Sequence, residues 1–501
     1  MDWRHWHAVT LLSGRAKILE RSSRTVKIAL IIPPSLGLGQ IWCPNLPLGL
    51  AYLAAALEKG GYELTVFDCP ALGIDHKELG AKLSSFEPNM VGITSITPTI
   101  KSTLLAARVA KEACPNAVVV LGGPHATFMD SQILSEYPDV DIVVRGEGEQ
   151  TLVELISHLF GSGDLQTVSG ISFRKNGQII RTPNRPFIQN LDELPRPAYQ
   201  YFPLKKYQFF GKLILPIMTS RGCPFQCSYC VSSRMAGKMF RARSPKNVVD
   251  ELEWLRDMHG AGVFSFYDDA FTYDKKRAIE ICEEIKNRNI GLPWDCQTRV
   301  DQISKEVLVK MREADCQLVS FGAESGCQKI LDAVKKKTTI ELNERAVKMA
   351  KEVGLSVAMS VIIGFPGETI DTLKQTFDFI RRTEPDYIYL CVATPYPGTD
   401  LRSLLKELGW KMSADWSQYD LQTPVFENPF LPVDLRETRR DFYNHFYSWS
   451  YILRQSLKGT FYSRNMARTA LNDRLWRLKL PKWVFDNLRK VRFQQKTERD
   501  T

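Results

Sequence analysis

Two stretches of this chain alternate apolar strand-like runs with helical periodicity, and that alternation admits few folds. Between Val26 and Phe160 the strand candidates are Lys27–Ile32, Glu63–Phe67, Met90–Thr94, Ala117–Leu121 and Ile142–Val144, with helices expected at Leu48–Lys59, Thr99–Ala113 and Thr151–Leu159. Strands apolar at successive positions must be covered on both faces, and alternation with helices makes them parallel. The expectation is a doubly wound, flavodoxin-like α/β domain over 26–165 that binds its ligand at the carboxyl ends of the strands. Glycine, proline and polar residues follow the strands there: Pro33–Gly39, Asp68–Gly73, Thr97–Pro98, Gly122–His125 and Gly146–Glu149.

A hairpin is expected at Ser169–Pro183, and the Pro- and Arg-rich Asn184–Tyr207 reads as a connection, so 166–207 is assigned as hairpin and linker. The second alternating stretch offers strands at Ile214–Thr219, Val263–Tyr267, Pro293–Cys296, Gln317–Phe321, Val357–Ile363 and Tyr387–Val392. These βα repeats imply a (β/α)6 partial barrel over 208–400, again with its site at the carboxyl ends. Residues 401–501 read as a helical, aromatic and basic region. A length of 501 residues exceeds what one core organises, in keeping with two domains and an appendage.

Charge is unevenly placed. From Leu431 to Thr501, 16 Lys plus Arg stand against 7 Asp plus Glu, so +9 of the formal +10 lies there. The body is nearly neutral, and nucleic acid is not an expected partner. No apolar run reaches the roughly 20 residues of a membrane-spanning helix. The first residues, with Trp3, Trp6, Arg15, Lys17, Arg21 and Arg24, lack the apolar stretch and cleavage site of a secretory signal, so a cytoplasmic location is expected.

Chemistry concentrates in Arg221-Gly222-Cys223-Pro224-Phe225-Gln226-Cys227-Ser228-Tyr229-Cys230, directly after the first barrel strand. Three thiolates spaced C-x-x-x-C-x-x-C can each hold one iron of a 4Fe-4S cubane and leave the fourth iron open. A zinc site would want a fourth Cys or His, and none lies between Cys230 and His259. The other cysteines, Cys43, Cys69, Cys114, Cys282, Cys296, Cys316, Cys327 and Cys391, form no C-x-x-C pair and read as small buried hydrophobes, with a second cluster as the alternative.

This loop, with the aromatic Tyr229 before its last Cys, resembles the radical S-adenosylmethionine (SAM) superfamily. The resemblance implies catalysis at Cys223, Cys227 and Cys230. There the open iron chelates SAM, and one electron cleaves it to a 5′-deoxyadenosyl radical that abstracts hydrogen from unactivated carbon. It also implies an external electron donor such as flavodoxin or ferredoxin. Later strands carry matching landmarks. Tyr267-Asp268-Asp269-Ala270-Phe271 offers acids for the SAM amino group, and Phe321-Gly322-Ala323-Glu324 a carboxylate for the ribose hydroxyls. Val361-Ile362-Ile363-Gly364-Phe365-Pro366-Gly367-Glu368 resembles the adenine-contacting segment. For Asp269 and Glu324 the plainer alternative is a helix N-cap. Arg241 and Arg243, in an Arg-x-Arg-Ser-Pro stretch that recurs in the family, are read as partners either of the SAM carboxylate or of surface acids. Ser244 and Pro245 make a good helix start.

An α/β domain ahead of such a barrel resembles the cobalamin-binding branch, with its class B methylases and anaerobic oxidative cyclases, and Leu121–Thr127 and Arg145–Thr151 match it. Cobalamin contacts are then expected at Gly122, Gly123, His125, Gly146 and Glu147. Where many cobalamin proteins have Asp-x-His-x-x-Gly, this chain has Asp68-Cys69-Pro70-Ala71-Leu72-Gly73, so Pro70 stands where an axial histidine would be. Cobalamin bound without a protein ligand below the metal, and loss of cobalamin, are both open. His125 reads first as a locally packed loop histidine.

The aromatic run Asp441–Tyr447, with Trp449 and Tyr451, resembles the tail of cyclase-like and lipid-methylating members. Arg474–Trp483 mixes cations with indoles, as at an anionic membrane surface; the alternatives are a packing helix with a solvated basic face and stacking on single-stranded nucleic acid. The leading expectation is cobalamin-dependent C-methylation of a small molecule, with a lipid or tetrapyrrole as candidate. The rivals are a radical cyclase or C–C bond-forming enzyme on such a substrate and a non-catalytic cobalamin or cluster sensor.

Overall fold

A computed structural model describes residues 26–35 and 46–477. The amino-terminal residues, Cys43, the end of the Pro33–Gly39 loop and the part of Arg474–Trp483 beyond Arg477 lie outside the described residues. The described chain forms two compact units: the residues up to Gly262 with Thr394–Asp420 and Val425–Glu427, and Val263–Ala393 with Leu421–Pro424 and the residues from Asn428 onward.

The first unit carries a seven-stranded sheet of order β2-β1-β3-β4-β5-β6-β7. Its strands are β1 (Lys27–Ile32), β2 (Glu63–Asp68), β3 (Met90–Thr94), β4 (Val118–Gly122), β5 (Ile142–Val144), β6 (Ile171–Lys175) and β7 (Gln178–Arg181). Strands β1 to β5 are parallel in the flavodoxin order. The apolar runs that marked them are core: Ile28, Ala29, Leu30 and Ile31 are buried, as are Val119, Val120 and Leu121. The expected hairpin is present and joins the sheet edge, with β6 antiparallel to β5 and β7 to β6. The connection after it packs on the same unit: Ala198 N–H donates to the Ala51 carbonyl at 3.0 Å, and Tyr199 is fully buried.

Helices form at Leu48–Lys59, Ile100–Ala113 and Glu149–Leu159, close to the expected positions. Two more, His76–Phe86 and Pro124–Glu136, had not been read from the sequence. The second begins inside the glycine-proline turn, with Pro124 at its start and Gly123 at φ +92°. A Cβ on Gly123 would lie 2.6 Å from the Ser95 carbonyl oxygen, so both conformation and space demand glycine. We expect Gly123→Ala to cost about 2–4 kcal/mol, read as a lowered denaturation midpoint at unchanged slope.

Two short antiparallel pairs follow in this unit: β8 (Gln208–Phe209) with β9 (Lys212–Ile217), and β10 (Ser220–Arg221) with β11 (Arg241–Ala242). The second pair closes the base of the cysteine loop.

In the second unit β12 (Val263–Phe266), β13 (Trp294–Thr298), β14 (Cys316–Glu324), β15 (Ser356–Ile363) and β16 (Tyr387–Val392) pair in parallel, each with the next. These are five of the strands expected of the partial barrel. Trp294, almost fully buried, stacks on Phe266 at 4.7 Å between centroids and donates to the Ala314 carbonyl at 2.5 Å.

Helices Leu435–Phe446, Trp449–Leu457 and Phe461–Arg477 end the described chain. They are fastened to the sheet from below. The Asp386 carboxylate accepts from Val357 N–H at 2.9 Å and from Gln455 Nε2 at 2.7 Å, and it pairs with Lys458. Tyr451 Oη donates to the Asp386 carbonyl at 2.7 Å, and Tyr462 Oη donates to Asp295 at 2.5 Å. Tyr462 and Met466 pack on Leu318, Ala358 and Tyr387.

Candidate active site

Backbone geometry shapes the cysteine loop. Gly222, before Cys223, has φ +90°, and a Cβ there would collide with the Met239 carbonyl oxygen. Cys223 N–H donates to the Gly237 carbonyl at 3.0 Å and Cys230 N–H to the Cys227 carbonyl at 3.1 Å. Leu401 N–H donates to the Ser228 carbonyl at 2.8 Å. Cys223, Cys227, Tyr229 and Cys230 are half-buried, and Ser232 N–H reaches Cys230 Sγ at 3.5 Å. Among the described residues no three His, Cys, Asp or Glu side chains converge tightly enough to hold one ion. Three half-buried thiols presented on one loop are the donor set of a cubane, which takes each thiolate on a different iron, so the loop fits a cluster.

A buried ion network frames this loop. Arg221 pairs with Glu147 at 3.0 Å and with Glu149 at 2.6 Å. Its guanidinium also lies 5.3 Å from the Tyr52 ring centroid. Arg241 pairs with the same Glu147 at 2.9 Å and donates to the Ala236 carbonyl at 2.7 Å. Glu147 Oε2 further accepts from Ile188 N–H at 2.8 Å. Arg243 pairs with buried Glu251 at 2.6 Å. Both arginines of the Arg-x-Arg-Ser-Pro stretch thus meet interior rather than surface acids. Ser244 caps helix Pro245–His259 as expected, its hydroxyl accepting from Asn247 N–H at 3.3 Å.

In the second unit the expected SAM contacts sit at strand ends. Asp268 is buried and Asp269 exposed just past β12, and the next helix is capped by Asp274, so neither acid is an N-cap. Glu324 ends β14 with φ +65°, a strained conformation outside glycine, and pairs with Lys336 at 2.8 Å while both are buried. A Cβ on Gly322 would fall 2.5 Å from Glu324 Oε1 and 2.8 Å from Lys336 Nζ, so that glycine makes room for the pair. Gly364 (φ +89°) and Gly367 (φ +83°) turn the chain after β15.

Glu368, quoted with that segment but given no role of its own by sequence reasoning, lies in the same turn. It is fully buried, accepts from Gly364 N–H through Oε2, and has no hydrogen-bond partner on Oε1. Burial pushes its carboxyl up to about 7, against the lowering effect of the Gly364 and Phe365 amides. The folded chain then keeps a proton that the unfolded chain releases near 4.5, so stability falls as pH rises from about 4.5 to 7 and levels off above. We expect Glu368→Gln to remove that part of the slope, about 3 kcal/mol in all, in denaturation profiles taken across this range.

At the carboxyl edge of the first sheet, Gly146 (φ +73°) faces open space, and Gly122–Gly123 close on Ser95. The open turn at Gly146 lets a flat macrocycle approach backbone, so this edge fits cobalamin. His125 turns inward: it is buried, bonds Thr97 Oγ1 at 3.2 Å and meets Trp416 edge-on at 5.1 Å. Burial, aided by Arg402, pushes its imidazole down to about 4. Asp68 is held by Tyr207 Oη and by Ala71 N–H at 3.1 Å, and Pro70 is exposed.

Comparison with known proteins agrees with this geometry. The radical SAM superfamily profile matches residues 217–380 and the B12 binding domain profile residues 44–156. An uncharacterised methyltransferase of Pyrococcus horikoshii is 36% identical over 427 residues, covering 85% of this chain and 93% of its own. The anaerobic magnesium-protoporphyrin IX monomethyl ester cyclase of Rubrivivax gelatinosus is 36% identical over 391 residues, 76% of this chain and 70% of its own. The solved radical SAM methyltransferase TsrM of Kitasatospora setae, with cobalamin and a 4Fe-4S cluster bound, superposes with a TM-score of 0.68 at 19% identity, over 85% of this chain and 89% of that one. A radical SAM domain takes a 4Fe-4S cluster and SAM, and a B12 binding domain takes cobalamin, the groups that the cysteine loop and the glycine edge fit. The chain belongs to the radical SAM superfamily, in the branch that carries an amino-terminal cobalamin-binding domain.

Proposed function

We propose that the protein methylates an unactivated carbon of a small molecule, using SAM and cobalamin. The observation that carries this reading is the preformed cysteine loop in a chain that also bears a B12 binding domain. When bound, the cluster supplies the electron that splits SAM to methionine and a 5′-deoxyadenosyl radical, and cobalamin supplies a methyl carrier. Cys223, Cys227 and Cys230 hold the cluster, and Tyr229 packs beside it. Asp268 and Asp269 receive the SAM amino group, Glu324 the ribose, and the Gly364–Gly367 turn the adenine. Gly122, Gly123 and Gly146 line the corrin. The functional division is proposed to run 26–165, 166–207, 208–400 and 401–501.

Anaerobic reconstitution with iron, sulfide and cobalamin, followed by mass spectrometry of SAM products, tests the reaction. S-adenosylhomocysteine formed alongside 5′-deoxyadenosine is expected; deoxyadenosine alone would select the second reading, oxidative cyclisation, which the likeness to the cyclase favours.

A thiolate-held cluster needs a reducing compartment and an external one-electron donor such as flavodoxin or ferredoxin, so we place the protein in the cytoplasm. No described helix is long and apolar enough to cross a membrane. Peripheral contact is supported by helix Trp449–Leu457, where Trp449, Leu453 and Leu457 are 53%, 64% and 79% exposed in a region of net positive charge. We expect Leu453→Asp with Leu457→Asp to lower co-sedimentation with anionic vesicles several-fold; unchanged binding would remove the lipid surface from the proposal.

A further inference from the structure

Glu147 sits in the loop after β5, where the corrin edge lies, yet its carboxylate is spent on other groups. It accepts from Arg221 Nη1 at 3.0 Å, from Arg241 Nη1 at 2.9 and 3.2 Å through its two oxygens, and from Ile188 N–H at 2.8 Å. Arg221 stands two residues before Cys223 and also reaches Glu149 at 2.6 Å. Arg241 grips the returning side of the cysteine loop through the Ala236 carbonyl at 2.7 Å. Ala236 adjoins Gly237, whose carbonyl holds Cys223 N–H. The four side chains, Arg221, Arg241, Glu147 and Glu149, are 11%, 3%, 10% and 8% exposed. Two cations and two anions are therefore balanced inside the protein, with Glu147 alone touching both arginines.

We infer that Glu147 is a positioning residue for the cluster: it fastens both sides of the cysteine loop to the loop after β5 and cancels the charge of the two arginines flanking the thiolates. The inference deepens the proposed function and rests on the cluster assignment made there. A reduced cubane carries one more negative charge than the oxidised form, so nearby positive charge left uncompensated favours reduction and raises the potential. Buried pairs are screened little, so the effect persists at physiological salt. Glu147→Gln keeps the shape and removes the charge. Glu147→Asp keeps the charge on a shorter stem.

The test uses the full chain in two states. In the reconstituted protein, a redox titration followed by electron paramagnetic resonance reads the cluster potential, and dialysis reads cobalamin retention. In the metal-free chain, trypsin cutting at the exposed Arg234 and Lys238 reads loop order. Glu147→Gln is expected to shift the potential upward and to speed cutting several-fold while cobalamin retention stays unchanged, with Glu147→Asp returning most of both. Glu149→Gln, which touches only Arg221, is expected to give a smaller shift of the same sign and serves if Glu147→Gln does not fold. An unshifted potential with faster cobalamin release in Glu147→Gln, or no shift in Glu149→Gln, overturns the inference. Absence of a cubane spectrum in the unaltered chain would strike the cluster assignment instead, and the trypsin arm would still report on the strut.

Discussion

Alanine in place of any one of Cys223, Cys227 or Cys230 lowers SAM cleavage about a thousandfold or more, equivalent to roughly 4 kcal/mol of activation free energy. Each thiolate takes a separate iron, so no neighbouring ligand can substitute for the one removed. The fold should survive, because all three side chains are half-buried on a loop held by backbone hydrogen bonds. The expected pattern is lost iron, lost 5′-deoxyadenosine and a nearly unchanged denaturation midpoint. Full iron content and cleavage in any of the three variants would remove the cluster from this loop.

Lys336→Met should cost the second unit several kcal/mol of stability. Lys336 and Glu324 are both buried and joined at 2.8 Å. Removing the ammonium strands a carboxylate in the interior, a change that typically costs 3–5 kcal/mol. Methionine preserves the volume of the stem, so a cavity contributes little. The double variant Lys336→Met with Glu324→Gln should recover most of the loss, because it removes both charges. Chemical denaturation of the single and double variants measures this, and a single variant within 1 kcal/mol of the parent would show the pair to be hydrated.

The strands were legible because their burial leaves a local trace. Lys27–Ile32 and Tyr387–Val392 fall where their apolar runs end, and helix Leu48–Lys59 matches its periodicity. Helix His76–Phe86 was not legible, since only Leu79 and Leu83 are buried, with Phe86 half-buried at its end, and most of the other positions are polar. Pro124–Glu136 escaped because Gly123 and Pro124 imitate a loop; the signal available was proline at the first helical position. The cysteine spacing, a local pattern, announced itself. The partners of Glu147 did not, because Arg221 and Arg241 lie 74 and 94 residues away along the chain. An acid in a glycine turn carries no mark distinguishing a ligand contact from an ion-pair hub, and only the fold supplies that distinction.

Asp386 and Asp295, locked by residues from helices Trp449–Leu457 and Phe461–Arg477, make the end of the chain part of the sheet's foundation. A protein shortened before Ser448 would expose these two acids and the underside of β14 to β16 together, and it should be recovered as an aggregate rather than as an isolated barrel. Separate study of the second unit therefore requires carrying its last helices along.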